Sequence, residues 1–190
     1  MQRVICAILP KLHHRENEKG AHVNQIYLSL GSNLGDRFMN LERAVLGLNQ
    51  FCLLTAVSPV YQTSPWGVTE QPAFLNLCAA ATTNETPHGL LTHLKYLEAA
   101  LGRQVTYTWG PRVIDIDILF YNDWIIHDER LTIPHPHLAE RAFVLVPLAD
   151  IAPTLHHPQL GLTIAQLRQQ VDSSDVTPFA ETPLQLAWEN

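Results

Sequence analysis

The sequence predicts an α+β fold: an antiparallel sheet in the ferredoxin-like βαββαβ order, with helices packed on it and further elements appended. Three observations predict it. Strand-type alternation and helix-type periodicity interleave in that order from Gln25 onward. The chain has 190 residues, which suits one ordinary domain. Apolar residues make up 46% and charged residues 16%, a balance that builds a packed core and excludes wholesale disorder.

Ile26, Leu28 and Leu30 alternate with Tyr27 and Ser29, which marks the first strand. It runs into Gly31-Ser32-Asn33-Leu34-Gly35-Asp36, a loop of turn formers. Asp36 suits an N-cap, and Phe38, Leu41, Val45 and Leu48 recur at helical spacing. Residues 53–60 read as a second strand. Residues 61–72, with Pro65, Gly67 and Pro72, read as a loop too long to be a mere connector. Residues 74–81 form the third strand. Thr86-Pro87 opens a helix whose buried face is Leu90, Leu94, Leu97 and Leu101, and Gly102 stops it. Residues 104–109 read as a polar loop and 113–121 as a β-branched strand. Residues 138–141 suit one helical turn and 143–146 a strand. Thr163 caps a last helix bearing Ile164, Leu167 and Val171. Residues 1–24 are expected to be a poorly ordered extension, 25–171 the folded domain, and 172–190 a tail with little pattern in which 184–188 could dock. The loops 61–72 and 103–109 are the expected mobile functional parts.

The formal net charge of −6 argues against a dedicated nucleic-acid binder, although it leaves a nucleotide substrate open. Cys6, Cys52 and Cys78 are odd in number, far apart and set among apolar neighbours. That is reduced, intracellular usage rather than a disulfide framework or a zinc site. No apolar run approaches the roughly 20 residues that span a membrane. Residues 4–9 are too short for the apolar core of a signal peptide.

The sharpest local feature is Asp115-Ile116-Asp117. Alternation puts Val113, Asp115, Asp117 and Leu119 on one strand face and Ile114, Ile116, Ile118 and Phe120 on the other, toward the core. The two carboxylates then stand roughly 6–7 Å apart on a rigid element. Hard oxygen donors so close suit Mg²⁺ completed by phosphate oxygens. Taken alone, the pair more readily suits a solvated sheet face paired with arginines. Trp109-Gly110-Pro111-Arg112 precedes the strand, and its turn brings Arg112 to the pair, where a guanidinium can grip phosphate or close a salt bridge. Pro134 and Pro136 stiffen the segment around His135, which with Arg141 can hold an anion or simply cap a turn. His135 and His137 lack a third ligand type for zinc. Phe74 and Asn76 share a strand face, so an aromatic and an amide meet there, either to receive a planar heterocycle or as core and strand edge. Glu98 is either a solvated helix charge or a brace for a loop arginine. No GxxxxGK[ST] loop is present, so this is not a P-loop kinase.

Taken together, these segments resemble the 6-hydroxymethyl-7,8-dihydropterin pyrophosphokinase family of folate biosynthesis. The likeness lies in Leu30 to Asp36, Tyr61-Gln62-Thr63, Gln71-Pro72-Ala73-Phe74-Leu75-Asn76, Glu98 to Arg103, Trp109-Gly110-Pro111-Arg112 through Asp115-Ile116-Asp117, and Ile133-Pro134-His135-Pro136 through Arg141-Ala142-Phe143. The resemblance implies that diphosphate moves from ATP, the co-substrate, to the pterin hydroxymethyl, releasing AMP. It implies Asp115, Asp117, Arg103 and Arg112 as catalytic, with the two aspartates holding two Mg²⁺ ions. Thr63, Ser64, Trp66, Phe74, Asn76 and Phe143 would bind the pterin. Leu91, Glu98, Arg103, Trp109, Arg112, Ile118, Thr132, His135 and Arg141 would bind ATP. Only small-molecule partners are implied, with no nucleic acid and no membrane, for a cytoplasmic monomer.

The chain departs from the family where the loop after Gly102-Arg103 usually carries further arginines. Val105 and Thr108 stand there, so weaker closure and slower turnover are expected. Ser64 and Trp66 also replace a common proline and a smaller apolar residue. Those departures motivate the alternative of a catalytically weakened pterin- and nucleotide-binding paralogue. A metal-dependent hydrolase would need a water-activating base beside the carboxylates, and none is evident.

Overall fold

The computed structural model describes residues 23–65, 70–104 and 110–179. The expectations for residues 1–22, for Trp66, for Val105, Thr108 and Trp109, and for residues 184–188 lie outside the described residues. In chain order the elements are β1 (Asn24–Ser32), α1 (Arg37–Leu48), β2 (Leu53–Val57), β3 (Tyr61–Thr63), β4 (Phe74–Thr83), α2 (Pro87–Ala100), β5 (Asp115–Tyr121), β6 (Ile126–His127), β7 (Thr132–Ile133), α3 (Ala142–Ile151), α4 (Ile164–Arg168) and β8 (Thr177–Pro178). A single 3-10 turn, Leu138–Glu140, precedes α3.

The sheet runs β5-β1-β4-β3-β8, with β2 alongside the other half of β4 and every pairing antiparallel. This is the predicted βαββαβ order with extra strands. Both long helices start as the caps dictate. Asp36 accepts from the Met39 N–H at 3.1 Å, and Thr86 accepts from the Gly89 N–H at 3.1 Å with Pro87 at the first helical position. Gly102, at φ +96°, lets the chain turn out of α2 toward the cleft.

Two cores flank the sheet. On one face Leu41, Val45 and Leu48 of α1 and Leu90, Leu94 and Leu97 of α2 pack on Leu28, Leu30, Leu77 and Ile116. On the other, Val144, Leu145 and Leu148 of α3 and Ile164 and Leu167 of α4 pack on Tyr27, Cys78, Ala80 and Phe120. Each buried Leu or Ile side chain contributes about 1.5–3 kcal/mol of transfer free energy.

Several expectations need correction, among them the last helix, which ends at Arg168 and does not bear Val171. Residues 143–146 belong to α3, not to a strand. An apolar run without alternation fits a buried helix as well as a buried strand, and here it continues through Pro147 to ten helical residues. The second strand ends at Val57, because Pro59 has no N–H for the ladder and Ser58 bonds Cys78 instead, its N–H donating to the Cys78 carbonyl at 2.9 Å. The chain then resumes as β3, inside the expected loop. The described part of the tail is not without pattern: β8 pairs with β3, the Phe179 N–H donates to the Val60 carbonyl at 2.8 Å, and the Phe179 ring lies 6.2 Å from that of Phe38. Phe120 does not share the face of Ile114, Ile116 and Ile118. The β1–β5 register slips between Tyr27 and Leu28, Leu119 is the unpaired residue, and both Leu119 and Phe120 enter the second core.

Leu145 is fully buried in that second core. Leu145→Ala is expected to lower the unfolding free energy by about 2–5 kcal/mol in a urea titration. A loss below about 1 kcal/mol would contradict the packing of α3 on the sheet.

Candidate active site

The register of three neighbouring strands builds the floor of a cleft. Asp115 of β5 pairs with Gly31 of β1, and Gly31 pairs with Asn76 of β4. Gly31 is there because the Asn76 amide lies over it: a Cβ at this position would sit 2.7 Å from Asn76 Oδ1. Asn76 and Thr63 are both buried, and Asn76 Nδ2 donates to Thr63 Oγ1 at 2.7 Å. Ser64, Gln71, Phe74, Arg112, Arg141 and Phe143 line the cleft together with Asp115 and Asp117. The Arg141 guanidinium lies 5.5 Å from the centre of the Phe143 ring.

Asp115 is clamped by two arginines. Arg103 donates to its Oδ1 and Arg112 to its Oδ2. Burial pushes the Asp115 carboxyl up, but Arg112 and Arg103 together outweigh burial and hold it below the usual carboxylate range. Asp117 has no such clamp. Burial, then the charge of Asp115, pushes its carboxyl up to about 6. His135 Nε2 stands 3.8 Å from Asp117 Oδ2 and 3.3 Å from Arg141 Nη1. Burial and the Arg141 charge push the imidazole down to about 4, so the ring is neutral at pH 7.

The outer edge of β5 is finished by side chains of α2. Glu98, 2% exposed, accepts from the Ile116 N–H at 2.7 Å, from Lys95 Nζ at 2.8 Å and from Arg103 at 2.6 Å. A second polar junction ties the loops together. Asn33 is buried; its Oδ1 accepts from the Arg112 N–H at 2.7 Å, and its own N–H donates to the Arg112 carbonyl at 3.1 Å. Its Nδ2 donates to Gln71 Oε1 at 3.0 Å and to the Pro72 carbonyl at 3.2 Å. Arg37 donates to the Ala73 carbonyl at 2.8 Å. The loop carrying Gln71 is thus fixed relative to the turn carrying Arg112.

Of the residues singled out in the sequence, Thr63, Ser64, Phe74, Asn76, Arg112, Asp115, Asp117, Arg141 and Phe143 line this one cleft. Arg103 and His135 reach it through the two carboxylates. Four do not line it, the first being Glu98, which sits on the Ile116 N–H at the outer edge of β5. Leu91 and Ile118 belong to the core on the opposite sheet face, and Thr132 lies in β7, its hydroxyl 3.3 Å from His127 Nδ1. Trp66 and Trp109 lie outside the described residues. Sequence reasoning missed Gly31, Asn33 and Lys95. A glycine inside a strand pattern is a signal for close approach, which would have found Gly31. Lys95, three residues before Glu98, has the spacing of any exposed helix pair and gives no such signal.

Two carboxylates on one face are hard oxygen donors, and their mutual repulsion is what a divalent cation relieves. Among the described residues no three His, Cys, Asp or Glu groups gather into a closed metal site. The two carboxylates are donors of the kind that a divalent cation such as Mg²⁺ takes.

The sequence model of 7,8-dihydro-6-hydroxymethylpterin-pyrophosphokinase (HPPK) matches residues 27–153. The chain is 51% identical over 156 residues to 2-amino-4-hydroxy-6-hydroxymethyldihydropteridine pyrophosphokinase of Methylorubrum extorquens, covering 81% of this chain and 98% of that protein. It is 43% identical over 152 residues to the folic acid synthesis protein FOL1 of Dictyostelium discoideum, covering 80% of this chain but 23% of that longer protein. The fold is also that of wild-type Plasmodium falciparum HPPK-DHPS with pteroate, at TM-score 0.67 and 19% identity over 78% of this chain and 44% of that one. On the strength of the matched span and the Methylorubrum relative, the chain belongs to the HPPK family.

Proposed function

We propose that this chain transfers the β,γ-diphosphate of ATP to the hydroxymethyl group of 6-hydroxymethyl-7,8-dihydropterin, in the folate-synthesis reaction of its family. The hydroxymethyl oxygen bonds to the β-phosphorus, the bond between that phosphorus and the α,β-bridging oxygen breaks, AMP leaves, and the hydroxyl proton is lost to water. The observation that carries the reading is the juxtaposition in one cleft of a carboxylate pair, two arginines and an aromatic–amide pocket.

The pterin ring stacks between Phe74 and Phe143, and Thr63 and Asn76 read its polar edge. The Asn76–Thr63 bond fixes which face of the amide is presented, so the heterocycle meets a prearranged donor and acceptor set. Arg103, Arg112, Arg141 and His135 grip the phosphates, with bidentate guanidinium contacts doing most of the neutralising. Neutral His135 donates or accepts a hydrogen bond there rather than adding charge. Asp115 and Asp117 would hold two Mg²⁺ ions, which when bound neutralise the triphosphate and polarise the phosphorus under attack. Catalysis in this reading is positioning and charge stabilisation, as phosphoryl-type transfer requires. Leu91, Ile118 and Thr132 would serve the nucleoside at the β5 edge, away from the pterin. Cytoplasmic action as a monomer is part of the proposal. Cys52 and Cys78, both buried and free, suit a reducing compartment. No helix among the described residues is long and apolar enough to cross a membrane.

The test is AMP release with ATP, Mg²⁺ and the reduced pterin. AMP and pterin diphosphate should form in equal amounts, and AMP formed without pterin would contradict the reading. Asp117→Ala is expected to lower turnover by about a thousandfold or more while pterin affinity, read by calorimetry, stays within about threefold. Near-normal turnover in that variant would remove the carboxylate pair from the mechanism.

Asp117 also sets a pH dependence. Its carboxyl must lose a proton to take a cation, and in the metal-free protein that loss centres on about 6. As pH falls below that value the Mg²⁺ concentration for half-maximal rate should rise, by about tenfold per pH unit for one competing proton. A Mg²⁺ requirement unchanged between pH 7 and pH 5 would show that the proton and the cation do not compete at this group.

A further inference from the structure

The α2 side of the catalytic strand holds three charges in a row whose arrangement the proposed reaction must disturb. Glu98 is buried and sits between Lys95, at 2.8 Å, and Arg103, at 2.6 Å. Lys95 Nζ also lies 3.3 Å from the carbonyl of Ile116, while the N–H of Ile116 donates to Glu98. Ile116 is the residue between the two aspartates, and β5 is the last strand of the sheet on this side. Lys95 and Glu98 therefore stand where a further strand would pair, and they fix the peptide groups from which Asp115 and Asp117 project.

Arg103 has two anionic partners here, Glu98 and Asp115. In the reaction proposed above its guanidinium serves the triphosphate. When it leaves, Asp115 gains a cation but Glu98 loses one of its two counter-charges while remaining out of water. A buried carboxylate stripped of its partner is strongly unfavourable. We infer that Lys95 is a positioning residue: a standing counter-ion that keeps Glu98 compensated and bonded to Ile116 while Arg103 moves to the nucleotide. Lys95 suits this part because its side chain is 45% exposed, so its ammonium stays hydrated and costs little to hold in place. Arg103 is the only cation between Gly102 and Thr108 in the sequence, so no other residue of that stretch can replace it at the phosphates.

The inference rests on the function proposed above, and the experiment separates the two. Lys95→Met, Lys95→Arg, Glu98→Gln and the double variant Lys95→Met/Glu98→Gln are compared with the unaltered chain. Readouts are kcat and KM for ATP, pterin affinity by calorimetry and far-UV circular dichroism. Lys95→Met should lower kcat/KM for ATP by about 10–100-fold, because Arg103 is retained at Glu98, and leave pterin affinity unchanged. Lys95→Arg should restore most of the loss. The double variant should be no worse than Glu98→Gln alone, since a neutral amide needs no counter-ion. Equal kinetics in Lys95→Met and the unaltered chain, or losses that simply multiply in the double variant, would overturn the inference. So would a parallel loss of pterin affinity, which marks general damage to the cleft. Should Lys95→Met fold poorly, Lys95→Gln carries the same comparison. If the unaltered chain released no AMP, the proposed function itself would have failed. Calorimetry with a non-hydrolysable ATP analogue would then decide the inference alone: an unchanged affinity in Lys95→Met would overturn it, and a fall reversed by Lys95→Arg would uphold it.

Discussion

Two like charges held close on one strand face form the constraint around which the cleft is arranged. Asp115 and Asp117 repel, and that repulsion, with burial, pushes the Asp117 carboxyl up to about 6. The fold does not relieve the strain by separating them, since alternate residues of a strand necessarily share a face. It relieves it mainly at Asp115, by setting Arg103 and Arg112 there, while at Asp117 the charges of Lys95 and Arg141 do not outweigh burial and Asp115. Asp117 keeps the unfavourable share. In the reaction proposed above, this asymmetry would make Asp117 the carboxylate whose proton a cation displaces.

The rest of the molecule holds that face still. The strand is anchored to β1 on its inner edge and to Lys95 and Glu98 on its outer edge. Gly31 clears the space between the carboxylates and the Asn76 amide, so the charged residues and the aromatic–amide residues of the cleft come within a single sheet register. Asn33 then ties the turn carrying Arg112 to the loop carrying Gln71. One buried amide thus joins the arginine turn to the loop that leads into β4.

Much of this was legible in the sequence, for reasons that are local. The Asp36 and Thr86 caps, the leucine stripe of α2 and the alternation around Ile26 each depend on neighbours a few residues away. The site residues on β4 and β5 were legible because strand alternation fixes facing without knowledge of the partner strand. What was not legible depends on partners far along the chain. The apolar run from Phe143 to Leu148 has no period that separates helix from strand, and only its packing on Cys78, Ala80 and Phe120 decides it. The bulge at Leu119 follows from the β1 register and turns Phe120 to the second core. Lys95 has the spacing of an ordinary exposed helix charge, and only the packing of α2 beside β5 gives it the Ile116 carbonyl as a partner.

The most direct measurement is Mn²⁺ binding followed by electron paramagnetic resonance, as a probe of the Mg²⁺ positions, with and without a non-hydrolysable ATP analogue. The account predicts weak binding to the protein alone, where two arginines occupy Asp115, and much tighter binding with the analogue present. That gain should vanish in Asp115→Asn and in Asp117→Asn. Tight analogue-dependent binding that survives both substitutions would place the cations elsewhere and contradict the account.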